Sequence, residues 1–545
     1  MKQTNGHALN KKRPLLLAGA FLLSASLLGS CGNKSLAKVE VGKYPNVAAS
    51  NAKISEEFSS SAKTLTETAF EYFKEIARIP RKSKNLGGIT SYIKSFANER
   101  GYTVTSDDAG NFAFDVPASK GYEGYKKIIL QAHLDMVVTV REDYAAEFDP
   151  SKDSIHLVAD DEESFHSDGK TNIGADDGEG LCTLLAIASS DSSACAHGPL
   201  RFLFTADEDI GLLGALAMDS SLLDSDYLIN VDGSCVGEII YAAAGAYLGE
   251  FSATSPMEAL PEGYSLIKAS VSGLAGGHSS LHANQTLLGA SKVMKSVLEA
   301  VDSTSETWNL SSLNSGEVSN AIPTSGSVVF AVPSSKKDEV INKAKTSYQA
   351  LISGYPNETG ATFACEEDSS SSAKVFSFEI SDKAYNLLSK LPDGTIDSSE
   401  NAQASCNASP IKIGDGSLSL SALYRSLKNE SLKEIGKTFT SYASKYGFAY
   451  NVGTDFPAWE QDKEDSFINY YYDAFKTVCG LEGVKSKCAG GLETSLFAKM
   501  KPGMKMLSIG ADVEGEHALS EKLYKKSFPA HMATLLSVLK NINKI

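Results

Sequence analysis

The chain has 545 residues, 42% of them hydrophobic and 22% charged, and carries a net charge of −16. That length exceeds one ordinary hydrophobic core and favours at least two domains, and the composition excludes disorder and fibrous repeats. The acidic balance lacks the basic footprint of a nucleic-acid binder; most of the excess acid reads as solvated surface, and a minority as carboxylates gathered around cations.

Lys11, Lys12 and Arg13 precede an apolar run over residues 14–28, followed by Gly29, Ser30 and Cys31. The run is shorter than the roughly 20 residues of a comfortable membrane span and has the shape of a secretory signal peptide. Leu28-Gly29-Ser30-Cys31 resembles the lipobox of bacterial lipoproteins. That resemblance implies lipidation at Cys31, export and a lipid anchor in the cell membrane. The alternatives are an ordinary signal peptide with a chance cysteine, or a short anchor. Residues 32–58 then read as a tether. Seven cysteines remain (Cys182, Cys195, Cys235, Cys365, Cys406, Cys479 and Cys488), so at least one is unpaired within the chain; buried thiols are expected.

Residues 64–79 and 89–100 read as helices, ended by Pro80 and Gly101. Four short apolar runs then end in ligand-type residues. Residues 126–132 lead to His133, 201–206 to Asp207, Glu208 and Asp209, 227–231 to Asp232, and 504–510 by a short loop to His517. Runs this short read as strands buried on both faces, and a helix is expected over 178–189. Strands alternating with helices predict an α/β fold: a mostly parallel sheet with helices on both faces, binding ligands beyond the strands' carboxyl ends. Between residues 245 and 450 the pattern changes. Strand-like pieces (265–271, 326–332, 375–380, 417–424) alternate with helical ones (287–300, 337–353, 432–445), and the Ser-rich stretch 366–372 marks a loop. This reads as an inserted α+β lid domain, with residues 59–244 and 451–545 forming the catalytic domain.

In His133-Leu-Asp135 the two polar residues face one side of a strand. One imidazole nitrogen can ligate a metal while Asp135 accepts the other N–H and fixes the tautomer. Alone this spacing is a weak signal. Asp176 sits at a glycine-rich loop-to-helix junction, placed to bridge two cations, although an N-cap would look the same. Glu208 and Asp209 point different ways at a strand end, so one can bind metal while the other faces substrate. Together with Asp232 and His517, the set supplies two imidazoles and several carboxylates, a donor set suited to two Zn2+, with Mn2+ or Co2+ fitting equally. Glu208 could then serve as general base.

These residues, in this order, resemble the M20 metallopeptidases, in particular the branch of the aminoacyl-histidine dipeptidases or cytosol nonspecific dipeptidases. The stretches that carry the likeness include Phe70-Glu-Tyr-Phe-Lys-Glu-Ile-Ala-Arg-Ile-Pro-Arg81, Ile129-Leu-Gln-Ala-His-Leu-Asp-Met136 and Asn172-Ile-Gly-Ala-Asp-Asp-Gly178. Gly273-Leu-Ala-Gly-Gly-His-Ser279 and Asn320-Ala-Ile-Pro323 also match. The resemblance implies one metal held by His133 and Asp232, a second by Asp209 and His517, Asp176 bridging them, and Asp135 orienting His133. It implies a cis peptide between Asp176 and Asp177, Glu208 as the base, and His278 as a lid histidine that stabilises the oxyanion. In some relatives that histidine reaches a partner subunit's site, so a homodimer through the lid is one expectation. Arg425 stands where the family grips the substrate's C-terminal carboxylate. Asn320 is assigned equally to substrate contact or to a backbone turn, and Glu493 to substrate binding.

Three departures bear on function. The family's usual Glu-Glu is Glu208-Asp209 here, its acidic run after the third aspartate is Gly233-Ser-Cys-Val-Gly237, and its His-Ala-Gly-Leu-Glu is Ala489-Gly-Gly-Leu-Glu493. The expected function is a zinc-dependent dipeptidase acting on Xaa-His-like or varied dipeptides. The alternative is an exported peptide- or metal-binding lipoprotein, derived from a peptidase, with reduced or lost activity.

Overall fold

The four apolar runs become four adjacent parallel strands at the centre of one sheet. In the computed structural model, which describes residues 36–279, 286–369, 373–399 and 403–545, their order is Leu200–Thr205, Ile128–His133, Tyr227–Val231 and Lys505–Ile509. Alternation explains why these runs read as continuously apolar. Ile128, Leu130 and Ala132 face one core with Phe202, Phe204, Ile229 and Leu507, while Ile129 faces a second with Leu203, Leu228 and Met506. Helices Glu56–Ile76, Ala175–Ser189, Ser466–Cys479 and Phe528–Asn541 contribute to the first core, and Glu493–Met500 to the second. The outer strands make the eight-stranded sheet mixed, because Phe112–Val116 and Glu238–Ala243 run antiparallel to their inner neighbours.

The lid is a ten-stranded sheet whose pairings are all antiparallel, with helices Ala290–Asp302, Lys337–Ile352, Phe378–Lys390 and Asn429–Tyr446 packed into one core. Its first strand, Gly245–Thr254, pairs with its last, Ala449–Phe456, so the lid extends past the expected residue 450 to the end of that strand. One expected strand is corrected. Of residues 375–380 only Val375 lies in a strand, because Ser377 accepts the Ile380 N–H and starts a helix at Phe378.

Ala37–Ile545 form one compact unit, and the tether expected over 32–58 is corrected from Ala37 onward. Ala37–Lys38 pairs parallel with Leu481–Glu482, Val47–Ser50 is a helical turn, and Glu56–Ile76 starts eight residues earlier than expected because Phe58 and Ala62 continue its buried stripe. The expected signal peptide and Cys31 lie outside the described residues. All seven remaining cysteines are free, and six are buried. Among the described residues no helix is long and apolar enough to cross a membrane.

Candidate metal centre

Each ligand candidate stands where the backbone leaves a regular element. His133 ends its strand, only 1% exposed, with its N–H donating to Asp177 Oδ2 at 2.9 Å. Asp176 follows Gly174, whose φ of 65° and crowded Cα admit no side chain: a Cβ there would meet Arg81 and Met136 at 2.6 Å. The peptide between Asp176 and Asp177 is cis, as the motif implied. Buried Glu521 shapes this turn, accepting the N–H groups of Ile173 and Gly174 at 2.8 Å each and of Asp176 at 3.3 Å. Buried Arg81 ties it to the neighbouring strand, donating to the carbonyls of Leu134, Asp135 and Gly174.

Asp135 joins the two halves of the site. Its Oδ1 lies 3.4 Å from His133 Nδ1 and accepts the Glu208 N–H at 2.9 Å; its Oδ2 accepts from Ser83 Oγ at 2.7 Å and the Asp209 N–H at 3.3 Å. Asp135 thus links the His133 strand to the turn that carries Glu208 and Asp209. His517 lies between Val513–Glu514 and Lys522–Tyr524, strands of a small sheet that also contains Ser164–Ser167. Its φ of 62° is left-handed, and Thr139 Oγ1 donates to its carbonyl at 2.6 Å.

The side chains converge on Asp176. Its Oδ1 is 2.9 Å from His133 Nε2 and its Oδ2 is 3.1 Å from His517 Nε2. Asp232 Oδ1 lies 3.6 Å from His133 Nε2, and Asp209 Oδ1 3.0 Å from His517 Nε2. Two triads result, His133–Asp176–Asp232 and Asp176–Asp209–His517, each with its ligand atoms within 4.8 Å of one another; Glu208 falls in a third group with His133 and Asp209. The shorter aspartate at position 209 thus reaches its histidine. Imidazole and carboxylate donors around one shared carboxylate fit a pair of divalent cations.

The electrostatics agree with a site built for cations. Burial, then neighbouring carboxylates, push Asp232 and Glu208 well above the usual carboxylate range. Burial opposes protonation of both histidines, yet the Asp135 and Asp176 carboxylates hold His133 well above its ordinary value, and Asp176 with Asp209 raises His517 to about 11. Burial would raise Asp176 too, but the two imidazoles outweigh it and hold Asp176 low.

Other expected residues are placed unevenly. Half-buried Arg425, on strand Ser417–Ser426, is close enough to Glu208 and Cys488 to feel their charge; burial lowers it to about 10. His278 pairs in register with Ala321, and Asn320 is exposed with its carbonyl accepting the Ser279 N–H at 2.8 Å. His278 stands outside the metal groups. Glu493 is corrected from a substrate contact to a buried support. It is 0% exposed, and its Oε2 accepts from Gln131 Nε2 and Thr205 Oγ1 at 2.7 Å each. Arg81, Ser83, Asp177 and Glu521 were missed as site residues. Arg81 was visible only as the end of a matching stretch, and nothing in the sequence singles out Glu521.

The family profile described as peptidase family M20/M25/M40 matches residues 129–541. The chain belongs to this family. The peptidase is 29% identical over 482 residues to the cytosol non-specific dipeptidase of Escherichia coli (strain K12), covering 87% of this chain and 97% of that one. It also resembles the crystal structure of aminoacylhistidine dipeptidase from Vibrio alginolyticus, with a TM-score of 0.74, 26% identity, and 87% of this chain and 96% of that chain covered. Aminopeptidase PepT from Bacillus cereus ATCC 10987 is similar in fold, with a TM-score of 0.54 and 18% identity over 88% of this chain and 99% of that chain. Fold class and family thus agree with the sequence motifs, and the peptidase carries two candidate metal groups.

Proposed function

We propose that this peptidase is a zinc-dependent dipeptidase, exported and anchored to the cell membrane through Cys31. The observation that carries the catalytic reading is the Asp176 carboxylate, which offers each oxygen to a different imidazole with Glu208 beside them. A bound pair of zinc ions would supply Lewis-acid polarisation and acidify water toward pH ~7; manganese or cobalt would suit the same donors. His133, Asp176 and Asp232 would hold one ion, and Asp176, Asp209 and His517 the other. Asp135 keeps the proton on His133 Nδ1, leaving Nε2 free to ligate. The Glu208 carboxylate takes the proton of the attacking water and returns it to the leaving amine nitrogen. Arg425, within range of Glu208, grips the C-terminal carboxylate of a two-residue substrate and so sets its length. His278 donates to the developing oxyanion when the lid closes, from the same chain or across a homodimer. The two relatives named as dipeptidases support this substrate class, including Xaa-His peptides.

The test is amine release by purified mature protein with zinc and a dipeptide panel that includes Xaa-His. Two equivalents of bound metal with no release from any dipeptide would sink the proposal. Glu208→Gln should lose turnover and keep its metal. For the anchor, Cys31→Ala should move the protein out of the membrane fraction.

A further inference from the structure

We propose that residues 37–52 are a built-in brace for the metal ligands Asp232 and His517, acting through Tyr44 and Asn46. This rests on the reading of those two residues as ligands.

The brace begins where Ala37–Lys38 pairs with Leu481–Glu482 and the Val39 N–H donates to the Glu482 carbonyl at 3.0 Å. Tyr44 then stacks on Tyr524, with ring centroids 6.1 Å apart and 6° between planes, and its hydroxyl donates to the Ser234 carbonyl at 2.6 Å. Asn46, 2% exposed, aims Nδ2 at the Val236 carbonyl (3.4 Å) and Cys235 Sγ (3.5 Å). Its Oδ1 accepts the Ala49 N–H at 3.2 Å and caps the turn Val47–Ser50. Three consecutive residues just beyond Asp232 are therefore held from one side by this segment.

They are held from the other side by the chain that leads to His517. Asp512 Oδ1 accepts the Val236 N–H at 2.7 Å, and the Val513 N–H donates to the Ser234 carbonyl at 3.1 Å. Residues 232–237 belong to no helix or strand, so their position depends on such side-to-backbone contacts. Tyr44 and Asn46 act on residues 234–236 and not on the ligand side chains; they are positioning residues. The segment thus holds the stretch just beyond Asp232 directly, and it reaches the chain on either side of His517 through the Tyr524 stack and through the bonds of Ser234 and Val236 to Val513 and Asp512.

The test uses the mature protein and its Tyr44→Phe, Asn46→Ala and double variants, probed with zinc alone by chelator competition and with cobalt alone by visible absorption. The double variant should bind zinc about tenfold or more weakly, show an altered cobalt spectrum, and lose kcat at limiting zinc with KM unchanged. Excess zinc should restore kcat. Wild-type zinc affinity and cobalt spectrum in the double variant would overturn the proposal, as would a lower melting temperature of the metal-free protein without any change in zinc affinity. Should the double variant not fold, Tyr44→Phe, which keeps the ring stack, decides alone on the same criteria. Wild-type protein that binds two zinc ions but cleaves no dipeptide would sink the dipeptidase reading and leave the brace standing; wild-type protein that binds none would overturn both.

Discussion

Gly510→Ala should damage the metal centre from behind. Gly510 lies just past the strand Lys505–Ile509, and its φ is outside the left-handed region, so alanine brings no backbone penalty there. Space is the problem. The added Cβ would lie 1.7 Å from the Gly233 carbonyl oxygen, 2.3 Å from its carbon and 2.6 Å from Glu179 Oε1, where ordinary contact begins near 3.4 Å. Gly233 must retreat by roughly 1.5 Å in a packed interior. The N–H groups of Asp232 and Gly233 both donate to the Ile509 carbonyl, at 3.0 and 2.9 Å, and that retreat breaks the pair and draws Asp232 away from His133. Overpacking costs about 1–3 kcal/mol and two hydrogen bonds about 1 kcal/mol each, so the variant should lose about 3–5 kcal/mol, within what a folded domain of typical stability survives. Urea unfolding of the metal-free protein measures that loss, and chelator competition should show first-site zinc affinity down roughly a hundredfold. Gly124→Ala, where a Cβ meets nothing within 4 Å, is the control. Unfolding midpoint and zinc affinity that match the control would refute the reasoning.

Arg81→Met removes the donor to three buried carbonyls and a cation that faces Asp177, Asp209 and Glu521; urea unfolding should show a loss of about 3–5 kcal/mol. Burial raises Glu493 and Glu521 to about 7 and Asp512 to about 6. Their folded forms bind more protons than their unfolded ones, so metal-free protein should lose stability as pH rises from about 4.5 to 7. The raised His517 continues that loss above pH 7, and melting in chelator across this range checks the sign. Arg425→Lys replaces a planar fork with a point charge; KM for dipeptides should rise about tenfold or more with kcat nearly kept, as steady-state kinetics would show.

The catalytic strands are legible because each is short and apolar, and three of them run into ligand-type residues that mark their ends. His133, Asp135, Glu208 and Asp232 stand at or just past those ends, and Asp176 stands at a glycine-rich loop-to-helix junction. His517 was harder to read, because a left-handed residue in a loop between two small strands has no periodic signature. The helix at Phe378 is masked in the sequence because apolar residues near Val375 resemble a strand, and only the Ser377 cap marks its start. Glu493 was misplaced for a different reason. Motif position says which residue is retained, but only packing shows it 0% exposed beneath Gln131 and Thr205. The brace over residues 37–52 was hidden because its few apolar anchors, such as Val39 and Ala49, lack the spacing of a helix or strand.

The position of Lys505–Ile509 between Tyr227–Val231 and Glu238–Ala243 sets an order of assembly. The two strands flanking the gap lie only a few residues apart in sequence, yet the strand that fills it follows the entire lid. Until that strand docks, the sheet is split into five strands and two, and Asp232 lacks the Ile509 carbonyl that holds its backbone. Long-range pairing of this kind closes late and slowly. The hydrolytic centre should therefore be among the last parts of the molecule to form, and the nascent chain should stay inert toward peptides until Lys505–Ile509 is in place.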